Sequence, residues 1–127
     1  MNGRRGRPHF RFEDLEIWQG ARDLAVAFHE LARRLDERRF YRYAEQLRGA
    51  GLSLSNNIAE GSGSQHAKEF QQFLNISRRS LFEDASMLLV FEAAGVLESD
   101  QIDDLLWDCD SLSRMITSFS RTLTKDQ

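Results

Sequence analysis

Apolar residues recur in alternating steps of four and three along four separate stretches of this chain. In the first, Ile17, Ala21, Leu24, Phe28, Leu31 and Leu35 are separated by 4, 3, 4, 3 and 4 residues. That spacing stacks side chains on one side of an α-helix. Trp18, Ala25 and Ala32 widen the stripe beyond a two-stranded seam, as a helix inside a bundle requires. The pattern predicts a helix from about Asp14 to Leu35, with Asp14 as N-cap, because a short carboxylate can accept from the free N–H groups of a first turn.

Asp36 to Phe40 reads as a connection. Ala44, Leu47, Gly51, Leu54 and Ile58 then define a second helix over about 41–60. Its small residues (Ala44, Gly49, Ala50, Gly51, Ser53, Ser55) would let a neighbouring helix approach closely. That approach must offset the roughly 1 kcal/mol that an interior glycine costs relative to alanine. Gly61-Ser62-Gly63 is the predicted stop, a glycine taking the left-handed conformation that closes the last carbonyls. Ser62 or Ser64 would cap a third helix over about 65–94, and Ser62 with Gln65 has capping-box spacing. Its core positions are Phe70, Phe73, Leu74, Ser77, Leu81, Leu88 and Phe91, and Gly95 is its stop. A fourth helix starts after Ser99, read as N-cap, with core positions Ile102, Leu105, Cys109, Leu112, Ile116, Phe119 and Leu123. No stretch alternates with period two. The expected fold is all-α, an antiparallel up-down-up-down four-helix bundle, occupying residues 12–124 behind a flexible basic arm, residues 1–11.

At 127 residues, 41% apolar and 29% charged, the chain is one folded domain with a core of its own. No apolar run approaches the ~20 residues of a membrane span, and the arginine-rich start has no apolar segment behind it, so it is not a secretory signal. The expected compartment is the cytoplasm. The single cysteine, Cys109, excludes an internal disulfide and reads as a small buried hydrophobe. Net charge is −3, unevenly distributed: residues 1–50 carry eleven arginines against eight carboxylates, a balance of +3, and residues 51–127 a balance of −6.

That imbalance directs attention to the arginines. Arg33, Arg34, Arg38, Arg39 and Arg42 cluster around the first connection, and Arg4, Arg5, Arg7 and Arg11 lie on the arm. On a single chain they form a solvated face. Repeated around an oligomer they would hold a phosphate backbone of RNA or DNA without reading its sequence, and Phe40, Tyr41 and Tyr43 could stack on bases or else close the end of the core. Catalytic chemistry finds no footing. His9, His29 and His66 lack metal-ligand spacing from a second His or Cys, no serine sits in a nucleophile elbow, and Cys109 lies on an apolar stripe where a thiol is inert. No enzyme activity, metal or cofactor is expected. Asn57 and Glu60, polar residues beside the core position Ile58, read either as partly buried groups that hydrogen-bond the next helix or backbone and fix bundle register or as part of a subunit interface or ligand groove.

The stretches Phe12–Gln19 (FEDLEIWQ), Asn57-Ile58-Ala59-Glu60-Gly61, Lys68-Glu69-Phe70 and Ser80-Leu81-Phe82-Glu83 together resemble the small bacterial four-helix-bundle proteins encoded in intervening sequences of 23S ribosomal RNA genes. The resemblance extends to a related branch, the accessory variability determinant of diversity-generating retroelements. It covers about residues 10–120. The chain departs from the family pattern in having Ser55 and Asn56 before the Asn-Ile-Ala-Glu-Gly core. After that core it has Ser62, Gly63 and Ser64, so the arginine usual there is missing. The resemblance implies a homopentamer with a central channel and, for the retroelement branch, a basic surface that binds nucleic acid and a partner reverse transcriptase. Together these readings describe a non-enzymatic oligomeric scaffold that binds RNA, DNA or a nucleic-acid-processing partner through its arginines. The alternative is a purely structural or protein-interaction module whose arginines pair with the acidic half of a neighbouring subunit.

Overall fold

The four heptad stripes become four α-helices in the computed structural model, which describes residues 6–125: α1 (Glu16–Glu37), α2 (Tyr41–Ser62), α3 (Ala67–Ala93) and α4 (Ser99–Lys125). No strand occurs among the described residues. Each helix packs against its neighbours in sequence, and α4 closes the ring against α1. Contacts between high numbers on one helix and low numbers on the next show that neighbours run antiparallel. Tyr43 meets Phe91 at 4.8 Å between ring centroids, Ser77 Oγ donates to the Leu54 carbonyl at 3.3 Å, and Gln71 Nε2 donates to the Ser120 carbonyl at 2.9 Å. The heptad residues of α1 and α2 are all buried, as are Ile102, Leu105, Cys109, Leu112 and Ile116 of α4.

The helix ends differ from expectation. Asp14 does not cap α1. Residues Arg11–Asp14 wind into a 3-10 turn instead, and α1 begins one residue after Leu15. Two interactions produce this. Phe12 packs against Trp18 at 4.9 Å, and Glu13 caps the turn by accepting from the Phe10 N–H at 2.7 Å. The Asp14 carboxylate faces the His9 ring at 2.9 Å. The docked domain therefore includes Arg11, which the expected boundary had left on the arm.

Gly61 and Ser62 do not end α2. The helix runs through both, and Gly63 follows with φ −82°, not a left-handed angle. Gly61 is required for space: a Cβ there would sit 2.7 Å from Phe73 Cβ and 2.9 Å from Phe70 Cδ1. Neither Ser62 nor Ser64 caps α3, whose N-cap is His66. The Ser62 hydroxyl donates to the Ala59 carbonyl at 2.7 Å, inside its own helix. Ser99 is already the first residue of α4. The Gln101 side chain accepts from the Glu98 N–H at 2.9 Å, and the Ser99 hydroxyl ties across to Glu92 at 2.8 Å. Gly95 does stop α3, at φ +78°, with the paired bonds Val96 N–H to Phe91 O and Gly95 N–H to Glu92 O that define a Schellman end.

Candidate functional site

The structure divides the candidate arginines between the two ends of the bundle. Arg33, Arg34, Arg38, Arg39 and Arg42 gather at the α1–α2 connection, beside the α3–α4 connection. The Arg38 guanidinium donates to the Val96 carbonyl at 2.7 Å and lies over the Phe40 ring at 4.6 Å. Arg39 occupies the left-handed position of a second Schellman end, at φ +65°. Its N–H bonds the Asp36 carbonyl, and the Phe40 N–H bonds the Leu35 carbonyl. Arg11 is at the other end. Its guanidinium donates to the last-turn carbonyl of Ser62 at 3.0 Å and lies 5.7 Å from the Phe70 ring centroid. Arg7 lines a shallow pocket there with His9, Phe10 and Trp18. Arg4 and Arg5 fall outside the described residues. The seven described arginines thus do not make one basic surface, because α2, about 33 Å long at 1.5 Å per residue, separates the two groups.

Carboxylates interleave with the connection cluster. Arg33 pairs with Glu30 at 3.1 Å. Arg34 shares a groove with Glu30, Asp100 and Asp104, since the antiparallel fold brings the acidic start of α4 alongside the basic end of α1. Phe40 and Tyr43 are packed in an aromatic cluster that closes the end of the core, and Tyr41 alone of the three remains exposed.

The Asn57–Gly61 motif sits where α2 meets the start of α3. Ile58 is fully buried. Asn57 is half-buried and its Nδ2 donates to the Ser53 backbone carbonyl at 2.8 Å on its own helix, a backbone partner that the register reading allowed, whereas Glu60 is exposed and is not the partly buried group that reading expected. Ala59 accepts the Ser62 hydroxyl. The close contact of Gly61 with Phe70 and Phe73, together with the Ser77–Leu54 bond, fixes how α2 and α3 meet. Lys68 and Glu69 are exposed and Phe70 is buried against the motif.

Two features lay outside the sequence-based site residues. The first is Asp84, only 4% exposed, with Oδ2 lacking a hydrogen-bond partner. Burial, reinforced by the neighbouring Glu83 charge, pushes its carboxyl up to about 7. Cys109 on α4 is buried and free; burial, then the Asp84 and Asp108 charges, push its thiol up to about 12, which leaves it protonated and unreactive at neutral pH. The sequence did carry the signal for Asp84, because 84 falls on the stripe between Leu81 and Leu88. The second is an apolar patch on the outer α3–α4 face. Trp107 is 71% exposed, Phe82 60% and Leu89 48%. Phe82 borders Leu106 and Asp110 across the helix seam, and Leu89 lies two turns further along the same side of α3.

Among the described residues no group of three or more His, Cys, Asp or Glu is arranged to hold a metal ion, and no helix there is long and apolar enough to cross a membrane. These features define the class: an all-α four-helix bundle with a polar group sealed in its core and aromatics on its outer face. A family model described as 23S rRNA-intervening sequence protein matches residues 13–118. The chain belongs to that family. No curated protein matches it.

Proposed function

We propose that this protein is a non-enzymatic scaffold that associates with copies of itself through the outer face of α3 and α4. The observation that carries the reading is Trp107, an indole held in solvent on α4, with Phe82 and Leu89 also exposed on the adjacent helix α3. Large apolar side chains left in water on adjacent helices mark an association surface. A second copy is the fitting occupant because each chain carries a basic half and an acidic half, +3 over residues 1–50 and −6 over residues 51–127. The family resemblance supports the same reading and implies a pentamer. Multi-angle light scattering of the wild type and of Trp107→Glu tests it. The wild type is an oligomer that loosens at high salt, and the variant, altered at a site too exposed to affect folding, is a monomer. A monomeric wild type, or a variant that assembles equally well, defeats the reading.

A second reading, in which the scaffold holds RNA, DNA or a nucleic-acid-processing partner such as a reverse transcriptase at the first connection, is favoured by Arg39 and Arg42. Both are exposed and neither has a carboxylate partner among the described residues. It predicts RNA affinity that falls steeply with salt and is lost in an Arg39→Gln, Arg42→Gln double variant. Affinity unchanged in that variant would exclude this location.

A further inference from the structure

Two arginines from different helices share one cleft on the α3–α4 seam, and no carboxylate lines it. The cleft encloses about 270 Å³, with Leu74 and Ile116 among its apolar lining; Asn75, Arg78, Thr117, Ser120 and Arg121 supply the rest. The Arg78 guanidinium donates to Asn75 Oδ1 at 3.3 Å, which keeps it on the cleft side of α3. The Thr117 hydroxyl proton is committed to the Ser113 carbonyl at 3.0 Å, and the Ser120 carbonyl is held by Gln71 Nε2. The donors left for a guest are the two guanidinium forks, the Asn75 Nδ2 amide and the Ser120 hydroxyl.

Four arginines elsewhere on the bundle are paired in place. Arg22, Arg33, Arg48 and Arg114 each pair with a carboxylate on the chain: Asp23, Glu30, Asp36 and Asp110 respectively. Neither Arg78 nor Arg121 makes an ion pair among the described residues, although like charges gathered at one cleft repel. An anion relieves that repulsion. Guanidinium forks match the paired oxygens of a phosphate group, and the apolar walls lower the local dielectric in which those bonds form.

We propose that this cleft binds a phosphate group, with Arg78 and Arg121 as its two clamps. The group belongs either to free orthophosphate or to the backbone of a nucleic-acid strand. The site is complete within one chain and does not depend on self-association.

Isothermal titration with inorganic phosphate, against sodium chloride of matched ionic strength, provides the test. One saturable site per chain is expected in the wild type and equally in Trp107→Glu, so a failure of the assembly reading leaves this result intact. An Arg78→Gln, Arg121→Gln double variant weakens binding by about tenfold or more, and the exposed single change Arg121→Gln has a smaller effect in the same direction. Arg114→Gln, outside the cleft, leaves the affinity unchanged. A short single-stranded RNA that competes with phosphate, and loses affinity in the double variant, identifies the backbone as the source. Phosphate binding that RNA does not disturb identifies the free ion. Absence of saturable phosphate binding in the wild type, or full binding in the double variant, overturns the proposal.

Discussion

The two helix pairs of this bundle are held by different means. In α1–α2 the backbones come close: a Cβ on Gly51 would lie 3.0 Å from Ala25 Cα. The stripe positions there are apolar or small throughout, and Arg48 bridges to Asp36 near the connection. In α3–α4 the seam is looser. It holds the clefts at Arg78 and Arg121 and at Phe82 and Cys109, a carboxylate in the core, and aromatics left in solvent. A pair closed by close backbone contact gives rigidity and little else. A pair that leaves clefts and a core carboxylate has room for partners, and the proposed association face and phosphate cleft both lie on it.

The largest test of this contrast is titration of the core. A carboxyl raised to about 7 holds its proton more tightly in the folded chain than in the unfolded one. Its contribution is therefore fully present below the ordinary carboxylate range and is lost as pH rises to about 7, a change on the order of 4 kcal/mol. Asp84→Asn should flatten that dependence and make the protein more stable than wild type at pH 8, as urea unfolding at several pH values would show. If the variant follows the wild-type pH profile, Asp84 is not the group responsible. Next in size is Gly51→Leu, which forces a branched side chain against the α1 backbone and should cost about 3 kcal/mol; a loss below about 1 kcal/mol would mean that α1 and α2 are not closely locked.

Smaller effects separate a glycine needed for space from one that is not. Gly49 has nothing within 4 Å of a Cβ placed on it, so Gly49→Ala should raise stability by about 0.5–1 kcal/mol through helix propensity alone. Arg39→Gly should have the smallest effect, a gain of a few tenths of a kcal/mol. It relieves a left-handed residue worth roughly 1–2 kcal/mol while adding glycine's greater freedom in the unfolded chain. Gly95 already occupies the equivalent position at the other Schellman end.

The fold was legible because heptad spacing is a direct consequence of helix geometry, and every heptad residue of α1 and α2 is buried as the spacing requires. The helix ends were harder to read. Asp14 has the chemistry of a cap, but the packing of Phe12 on Trp18 takes the chain through a 3-10 turn first. Gly61 looks like a terminator in sequence, yet its reason lies in Phe73, twelve residues further along the chain and on another helix. The arginines near 33–42 appear basic when read along the chain, whereas folding sets carboxylates from positions 98–104 beside them. Arg78 and Arg121 are forty-three residues apart and carry no motif; only the antiparallel pairing of α3 with α4 makes them neighbours.

The central claim is that Trp107 lies in solvent on the single chain and is covered when copies associate. Fluorescence of a Trp18→Phe protein, in which Trp107 is the sole indole, reads this directly across a dilution series with acrylamide as quencher. The account predicts blue-shifted, protected emission at high concentration that turns red-shifted and readily quenched on dilution. Emission that remains solvent-like and fully quenched at every concentration would contradict it.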